Sequence, residues 1–191
     1  MSVDPSAAPV RDPGLHSRAG NAMQRTRAAV LDGAARAVEK HGVRRTTMAD
    51  IAILAGIAKG TLYNHFRTKE AVFAATVVAG IRSLTQECVT VAGDDLAESL
   101  ALAADRIGSH PALRRIAQDE PAIVAALSTL GDGDAWTAAR DGAGEVLTAA
   151  GATASTANVE LLLRWLASFI AAPGHELERQ SAALAAALGP R

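Results

Sequence analysis

The stretch from Lys59 to His65 combines a cation, two hydroxyl groups, an amide, an imidazole and a glycine, all of which suit contact with a nucleic acid. No acidic residue occurs from Ile51 to Lys69, although a solvated helix normally carries Glu–Lys pairs. An acid here would be repelled by phosphates on a facing surface. The pattern therefore predicts that this stretch meets a polyanion. The residues predicted to face outward are Lys59, Gly60, Thr61, Tyr63, Asn64 and His65.

Two short helices joined by a glycine must position these residues. Thr47 and Asp50 have the spacing of a capping box, which starts the first helix. Gly56 ends that helix, and the second runs from about 59 to 66. Two such helices joined by a tight turn form a helix-turn-helix. The apolar positions that hold them together are Ile51, Ala52, Ala55, Ile57, Leu62 and Phe66.

The unbroken stretch from Thr46 to Glu70 resembles the signature of the TetR family of bacterial transcriptional regulators. A helix over 22–41 and the start of a helix at Thr68 fit the same pattern more loosely. The resemblance implies an all-α, homodimeric repressor. It also implies that double-stranded DNA is the partner, with a near-palindromic operator, and that a C-terminal domain binds a small effector.

The resemblance assigns a role to each outward-facing position. Lys59, Thr61 and Asn64 lie on the recognition helix, where base edges in the major groove are within reach. Gly60 lets the backbone approach the duplex closely. The remaining DNA-binding candidates, expected mainly at the sugar-phosphate backbone, are Arg44, Arg45, Thr47, Tyr63, His65 and Lys69.

Ala58 departs from the family pattern, because similar sequences usually have Ser or Thr at this position. A hydroxyl there caps the recognition helix and donates to a phosphate. Its loss costs about 1 kcal/mol of helix stability. We expect DNA binding to survive, with a recognition helix that frays more easily or binds more weakly.

Charge and composition support the same division of the chain. Residues 1–70 carry 11 Lys and Arg against 6 Asp and Glu, whereas residues 71–191 carry 8 against 14. Only the basic front is therefore expected to meet DNA. Hydrophobic residues make up 49% of the chain and aromatic residues 3%, with few β-branched runs, which favours helices.

The predicted architecture is all-α, with a three-helix helix-turn-helix domain followed by a helical ligand-binding and dimerisation domain. Residues 1–20 contain three prolines and two glycines without an apolar period, which predicts a disordered arm. The helix-turn-helix domain is expected over 21–67 and the C-terminal domain over 68–191.

Other function classes find no support in the residues. No catalytic constellation or phosphate-binding loop is present, so the chain is not expected to be an enzyme or to need a cofactor. His65 has no second ligand at metal-binding spacing. No run of about 20 apolar residues predicts a membrane span, and no signal peptide is visible. Cys88 is the only cysteine and is expected to be a buried small hydrophobe rather than a redox sensor, which fits a cytoplasmic protein.

The effector is expected between a long helix over 68–91 and the helices over 94–108, 113–130 and 134–150. The second half is rich in Ala, Leu, Val and Ile, so the cavity should be largely apolar and the ligand hydrophobic. The helix over 68–91 is the only continuous connection to the DNA-binding domain, so a ligand is expected to act by tilting it. Candidate lining residues are Ile107, His110, Ile123, Leu127, Trp136 and Arg140.

The dimer interface is expected on the last two helices, which carry the most continuous apolar stripes. One helix should span about 155–171 and the other 175–188. Pairing with the symmetry mate would form a four-helix bundle; the alternative is that both stripes pack inside the monomer. The candidate interface residues are Leu161, Leu162, Trp165, Leu166, Phe169, Leu177, Leu184 and Leu188.

Two further interpretations of the whole chain stay open at the level of the sequence. In one, the protein is a DNA-binding regulator controlled by a protein partner, or an activator, with no small-molecule effector. In the other, it is an all-α enzyme or scaffold in which the helix-turn-helix is incidental, which the motif and the charge division oppose.

Overall fold

The computed structural model describes residues 13–93, 95–127, 131–172, 174 and 176–189, with side chains from Gly20 onward except at 126 and 127. These residues form ten helices and contain no strand, which confirms the predicted all-α fold. The helices are α1 Pro13–Arg45, α2 Met48–Ala55, α3 Lys59–His65, α4 Lys69–Ala92, α5 Leu96–Ser109, α6 Pro111–Asp119, α7 Pro121–Leu127, α8 Asp134–Ala149, α9 Thr156–Ala171 and α10 Leu177–Leu188.

The first helix is longer than the sequence predicted. It begins at Pro13, so the disordered arm predicted over 1–20 is wrong for residues 13–20, while residues 1–12 lie outside the described part of the chain. Proline suits the first turn of a helix, and each residue added to a nucleated helix gains a backbone hydrogen bond, which here offsets the cost of the two glycines. At the other end, Gly42 has φ +77° and interrupts the helical backbone where the sequence predicted a stop.

The DNA-binding domain has a compact core built from α1, α2, α3 and the start of α4. Gly33 brings α1 against the α2 backbone, because a Cβ at this position would lie 2.7 Å from the amide nitrogen of Ala55. Thr46 is buried, and its hydroxyl donates to the carbonyl of Gly42 at 2.7 Å. The core residues are Val30, Ala34, Ala37, Ile51, Ala52, Leu62, Phe66 and Val72.

Helix α4 joins the two halves of the chain. Val72 lies in the first core, and Cys88 and Ala92 lie in a core of the second half. Contrary to the expectation from the sequence, α4 is long and apolar enough, by length and composition alone, to cross a membrane. Helices of soluble proteins pass the same test, and α4 packs against α1, α5 and α8.

The C-terminal half is organised around α5, which packs against α4, α9 and α10. The Ser99 hydroxyl donates to the carbonyl of Cys88 at 2.9 Å and ties α5 to α4. Cys88 is buried as predicted, and desolvation raises the pKa of its thiol. On the other side of α4, Gly142 of α8 lies so close to Thr85 that a methyl group there would collide with the threonine side chain.

The apolar stripes on α9 and α10 pack largely inside the monomer, which is the alternative to the dimer interface that the sequence left open. Leu162, Phe169 and Leu188 are each at most 4% exposed, so their placement in the dimer interface is wrong. The physical reason is that α5 covers the inner faces of both helices, which no local pattern reveals. Trp165, Leu166, Leu177 and Leu184 are half-buried, and Leu161 is 48% exposed.

Candidate nucleic-acid interface

The start of α2 is fixed by the predicted capping box. The Thr47 amide donates to Asp50 Oδ2 at 2.9 Å, and the Asp50 amide donates to Thr47 Oγ1 at 3.2 Å. These hydrogen bonds from Thr47 hold the pKa of Asp50 below its usual value. The Thr47 hydroxyl also donates to Asp50, at 2.7 Å, so its proton is already engaged in the cap. The α2 N-terminus is therefore rigid, and the amide and hydroxyl protons of Thr47 are both engaged with Asp50 rather than available to a phosphate.

Helix α3 separates its polar and apolar residues as the sequence predicted. Leu62 and Phe66 are buried, while Lys59, Tyr63 and Asn64 are exposed. The Lys59 ammonium lies 5.9 Å from the centroid of the Tyr63 ring, so the two side chains form one exposed unit. The other outward candidates are exposed Gly60 and half-buried Thr61 and His65.

Two small residues, Ala58 and Gly60, lie at the start of α3. Ala58 precedes the helix without a side-chain cap, as expected from the absent hydroxyl. A Cβ built at Gly60 has no protein atom within 4 Å. Packing within the chain therefore does not require glycine at this position, and the close approach that it permits is available to a molecule outside the chain.

The turn that follows Gly42 is held from the start of α4 by Lys69. Its ammonium donates to the carbonyls of Val43 at 3.1 Å and Arg44 at 3.3 Å. It also lies 5.8 Å from the centroid of the Phe73 ring. The sequence predicted a phosphate contact for Lys69; the structure gives it a positioning role as well. The neighbouring Arg45 is exposed.

The same turn is held from the C-terminal half by Glu120, a residue that the sequence analysis missed. Its Oε1 accepts from the amides of Val43 at 2.6 Å and Arg44 at 3.2 Å, and its Oε2 lies 3.4 Å from the Nε of Arg44. Glu120 ends α6 and is 5% exposed. It lies 77 residues from Val43, so no local signal could have paired them.

The predicted effector-lining residues that the structure describes are spread over α5, α7, α8 and the α5–α6 junction. Arg140 donates to the carbonyl of Gly131 at 2.8 Å, and Trp136 packs against the core formed by α5, α8, α9 and α10. His110 is exposed between α5 and α6, and Ile123 is half-buried on α7. The side chain of Leu127 lies outside the described residues.

Ile107 of the predicted set lines a cleft, which has a volume of about 100 Å³. The cleft lies where α5, α6 and α9 meet, with the side chains of Arg114 and Gln118 exposed beside it. Its remaining lining residues are Gly108, Ala117, Phe169, Ile170 and Ala171.

Residues 30–76 match the family described as bacterial regulatory proteins, tetR family. The matched segment includes all of α2 and α3. The resemblance inferred from Thr46 to Glu70 is confirmed for this segment. TetR-family proteins are DNA-binding transcription regulators, mostly repressors.

A curated relative also matches part of this chain. The HTH-type transcriptional regulator TtgR from Pseudomonas putida is 54% identical over 46 residues. Those residues make up 24% of this chain and 22% of the relative, so the match spans less than a quarter of the relative's length.

Two solved structures share the fold of the whole chain. The TetR family repressor AlkX from Dietzia sp. strain DQ12-45-1b has a TM-score of 0.64 at 20% identity, over 84% of this chain and 91% of that one. A TetR transcriptional regulator from Rhodococcus sp. RHA1 has a TM-score of 0.61 at 24% identity, over 86% and 96%. These two likenesses show a shared helical fold over most of the chain, the C-terminal half included.

Proposed function

We propose that this protein is a sequence-specific transcription regulator that inserts α3 into the major groove of a near-palindromic operator. The observation that carries the proposal is the exposed face of α3, where Lys59, Tyr63 and Asn64 point away from a core that holds Leu62. Lys donates to guanine, and Asn pairs with adenine in two hydrogen bonds. Gly60 leaves room for the backbone to approach the duplex.

The experiment is selection of duplexes from a random pool by the purified protein, followed by footprinting on the enriched sequence. The proposal predicts enrichment of two inverted half-sites with centres about 34–36 Å apart, or multiples of that distance. A pool that stays random after repeated rounds, with only salt-sensitive weak binding, contradicts it.

We infer that the regulator acts as a homodimer through the outer faces of α9 and α10. One helix-turn-helix makes too few contacts for strong specificity, and paired half-sites require a two-fold dimer. Leu161 is 48% exposed on α9, and the outer side of α10 is lined by exposed Ala182, Ala183 and Ala186, which allow close helix approach. The proposed interface therefore lies on the exposed outer faces of α9 and α10, and not on the residues that are buried within the monomer.

We propose that the protein is a repressor that leaves its operator when a small, largely hydrophobic effector binds. The cleft between α5, α6 and α9 has an apolar wall at Ile107, Phe169 and Ile170, with Arg114 and Gln118 at its polar side. A volume of about 100 Å³ is small against the roughly 300–1,000 Å³ of typical ligand pockets. Binding therefore requires α6 to move, and a ligand that prefers the open cleft shifts the population of conformations.

The alternative, control by a protein partner or action as an activator, makes a different prediction. A thermal-shift screen of amphipathic molecules, followed by titration of each stabilising molecule against the operator complex, separates the two. Release of the duplex supports effector control. Stabilising molecules that leave operator affinity unchanged support the partner-controlled regulator.

A further inference from the structure

The contact between α6 and the turn after α1 is a second connection between the two halves of the chain, beside α4. The sequence alone predicted coupling only along the long helix. In the structure, the carboxylate of Glu120 reaches across from the end of α6 and accepts from two consecutive backbone amides, those of Val43 and Arg44. A carboxylate that accepts two N–H groups of one turn fixes both the turn and its own helix end.

Gly42 makes this approach possible. Its positive φ of +77° turns the backbone so that the next amides face Glu120. A Cβ at Gly42 would lie 3.2 Å from Glu120 Oε1, closer than nearly all real Cβ contacts. Gly42 therefore allows the Glu120 carboxylate to approach the turn, and it also ends the regular part of α1.

The third contact of Glu120 distinguishes it from a simple helix cap. Its Oε2 lies 3.4 Å from Nε of Arg44, and the exposed fractions of the two side chains are 4% and 77%. The pair is therefore asymmetric, with a buried carboxylate oxygen in ion-pair contact with an exposed guanidinium but not hydrogen-bonded to it. The two terminal nitrogens of Arg44 carry the remaining four N–H donors, in a planar arrangement that matches a phosphate.

We propose that Glu120 is a positioning residue for DNA binding, which aims Arg44 at an operator phosphate by accepting from its backbone amide and attracting its guanidinium across the ion-pair contact. The proposal rests on the proposed function and adds a residue of the C-terminal half to the DNA-binding machinery. Because α6 also carries Arg114, Ala117 and Gln118 of the cleft, a movement of α6 reaches the turn through Glu120 without passing along α4.

The test uses the full chain and the duplex that the wild-type protein selects from a random pool. Glu120→Gln keeps the shape of the side chain and removes its charge. We expect it to weaken operator binding about tenfold, and to lower the slope of log affinity against log salt by about 0.9 for each phosphate that the variant no longer touches. The matched control is Asp119→Asn, which removes the neighbouring charge, paired with Arg115 at 2.6 Å. We expect it to leave affinity and slope unchanged.

A double-mutant cycle with Arg44→Ala decides between positioning and simple support of the fold. Arg44 is exposed, so its truncation should leave thermal unfolding unchanged while lowering the salt slope. In that background, Glu120→Gln should have little further effect on affinity. The proposal is overturned if Glu120→Gln weakens binding equally with and without Arg44, or if its salt slope equals that of the wild type. If the wild-type protein selects no duplex, the proposed function fails first and this inference with it.

Discussion

Glu120 and Lys69 hold opposite edges of the same peptide segment: the Val43 amide donates to Glu120 at 2.6 Å, and the Val43 carbonyl accepts from Lys69 at 3.1 Å. One clamp comes from the C-terminal half and the other from the start of α4. Between them lies the turn that carries Arg44 and leads into α2. The orientation of α2, on which α3 is packed, is therefore set by residues from three separate parts of the chain.

Truncation of Lys69 should weaken binding to all DNA sequences alike. Lys69→Ala removes the donor to the carbonyls of Val43 and Arg44, together with a charge near phosphates, but touches no base. We expect affinity to fall by a similar factor, about tenfold, for the selected duplex and for a scrambled one. Lys40→Ala, at another exposed lysine on α1, is the control. A loss confined to the selected duplex would instead place Lys69 at a base.

Gly60→Ala should separate stability from DNA binding. No protein atom lies within 4 Å of the added methyl group, and alanine favours a helix over glycine by about 0.5–1 kcal/mol. We therefore expect equal or higher thermal stability together with at least tenfold weaker operator binding, because the methyl group would meet the duplex. Unchanged affinity, measured by a gel-shift titration, would mean that the α3 backbone stays away from DNA.

Gly33→Ala should destabilise the DNA-binding domain through a steric clash. The new methyl group would lie 2.7 Å from the Ala55 backbone nitrogen, where α1 crosses α2. We expect a loss of about 1–3 kcal/mol in the free energy of unfolding, measured in urea. Gly80→Ala is the matched control, since its methyl group meets nothing within 4 Å and should stabilise α4 slightly. Equal effects of the two substitutions would contradict the close approach of α1 and α2.

Leu161→Glu should convert the protein to a monomer. A charge at this exposed position would be buried without a partner in the proposed α9–α10 interface, at a cost of several kcal/mol. Val77→Glu is the control, because Val77 is 46% exposed on α4, away from that surface. Light scattering at micromolar concentration should report a monomer for the first variant and a dimer for the second and for the wild type. A dimer in both variants would move the interface elsewhere.

The features predicted correctly from the sequence are those encoded within one or two helical turns. Thr47 and Asp50 are three residues apart, Gly56 ends its own helix, and Leu62 and Phe66 lie four residues apart on one face. Each signal acts on its own element, so it can be interpreted without the fold. The domain that these signals build is also the part matched by the family.

The features that sequence reasoning missed depend on which elements meet. A helix always buries one face, but the stripe that contains Leu162 gives no sign that α5, rather than a second chain, covers it. In the same way, Glu120 ends α6 and binds a turn 77 residues away, which nothing in its own helix indicates. The start of α1 at Pro13 was missed because the prolines and glycines of residues 1–20 indicated a disordered arm. A helix that has already formed nevertheless tends to extend into such a segment.

The central claim is that the exposed face of α3 reads DNA, and its most direct test is the double variant Lys59→Ala with Tyr63→Ala. The two side chains form one exposed unit, so their truncation should leave thermal unfolding nearly unchanged. Removal of two DNA-binding side chains at about 1–3 kcal/mol each predicts at least a thirtyfold drop in affinity for the selected duplex, in a gel-shift titration at fixed salt. A variant that binds this duplex with wild-type affinity and the wild-type salt slope would contradict the account.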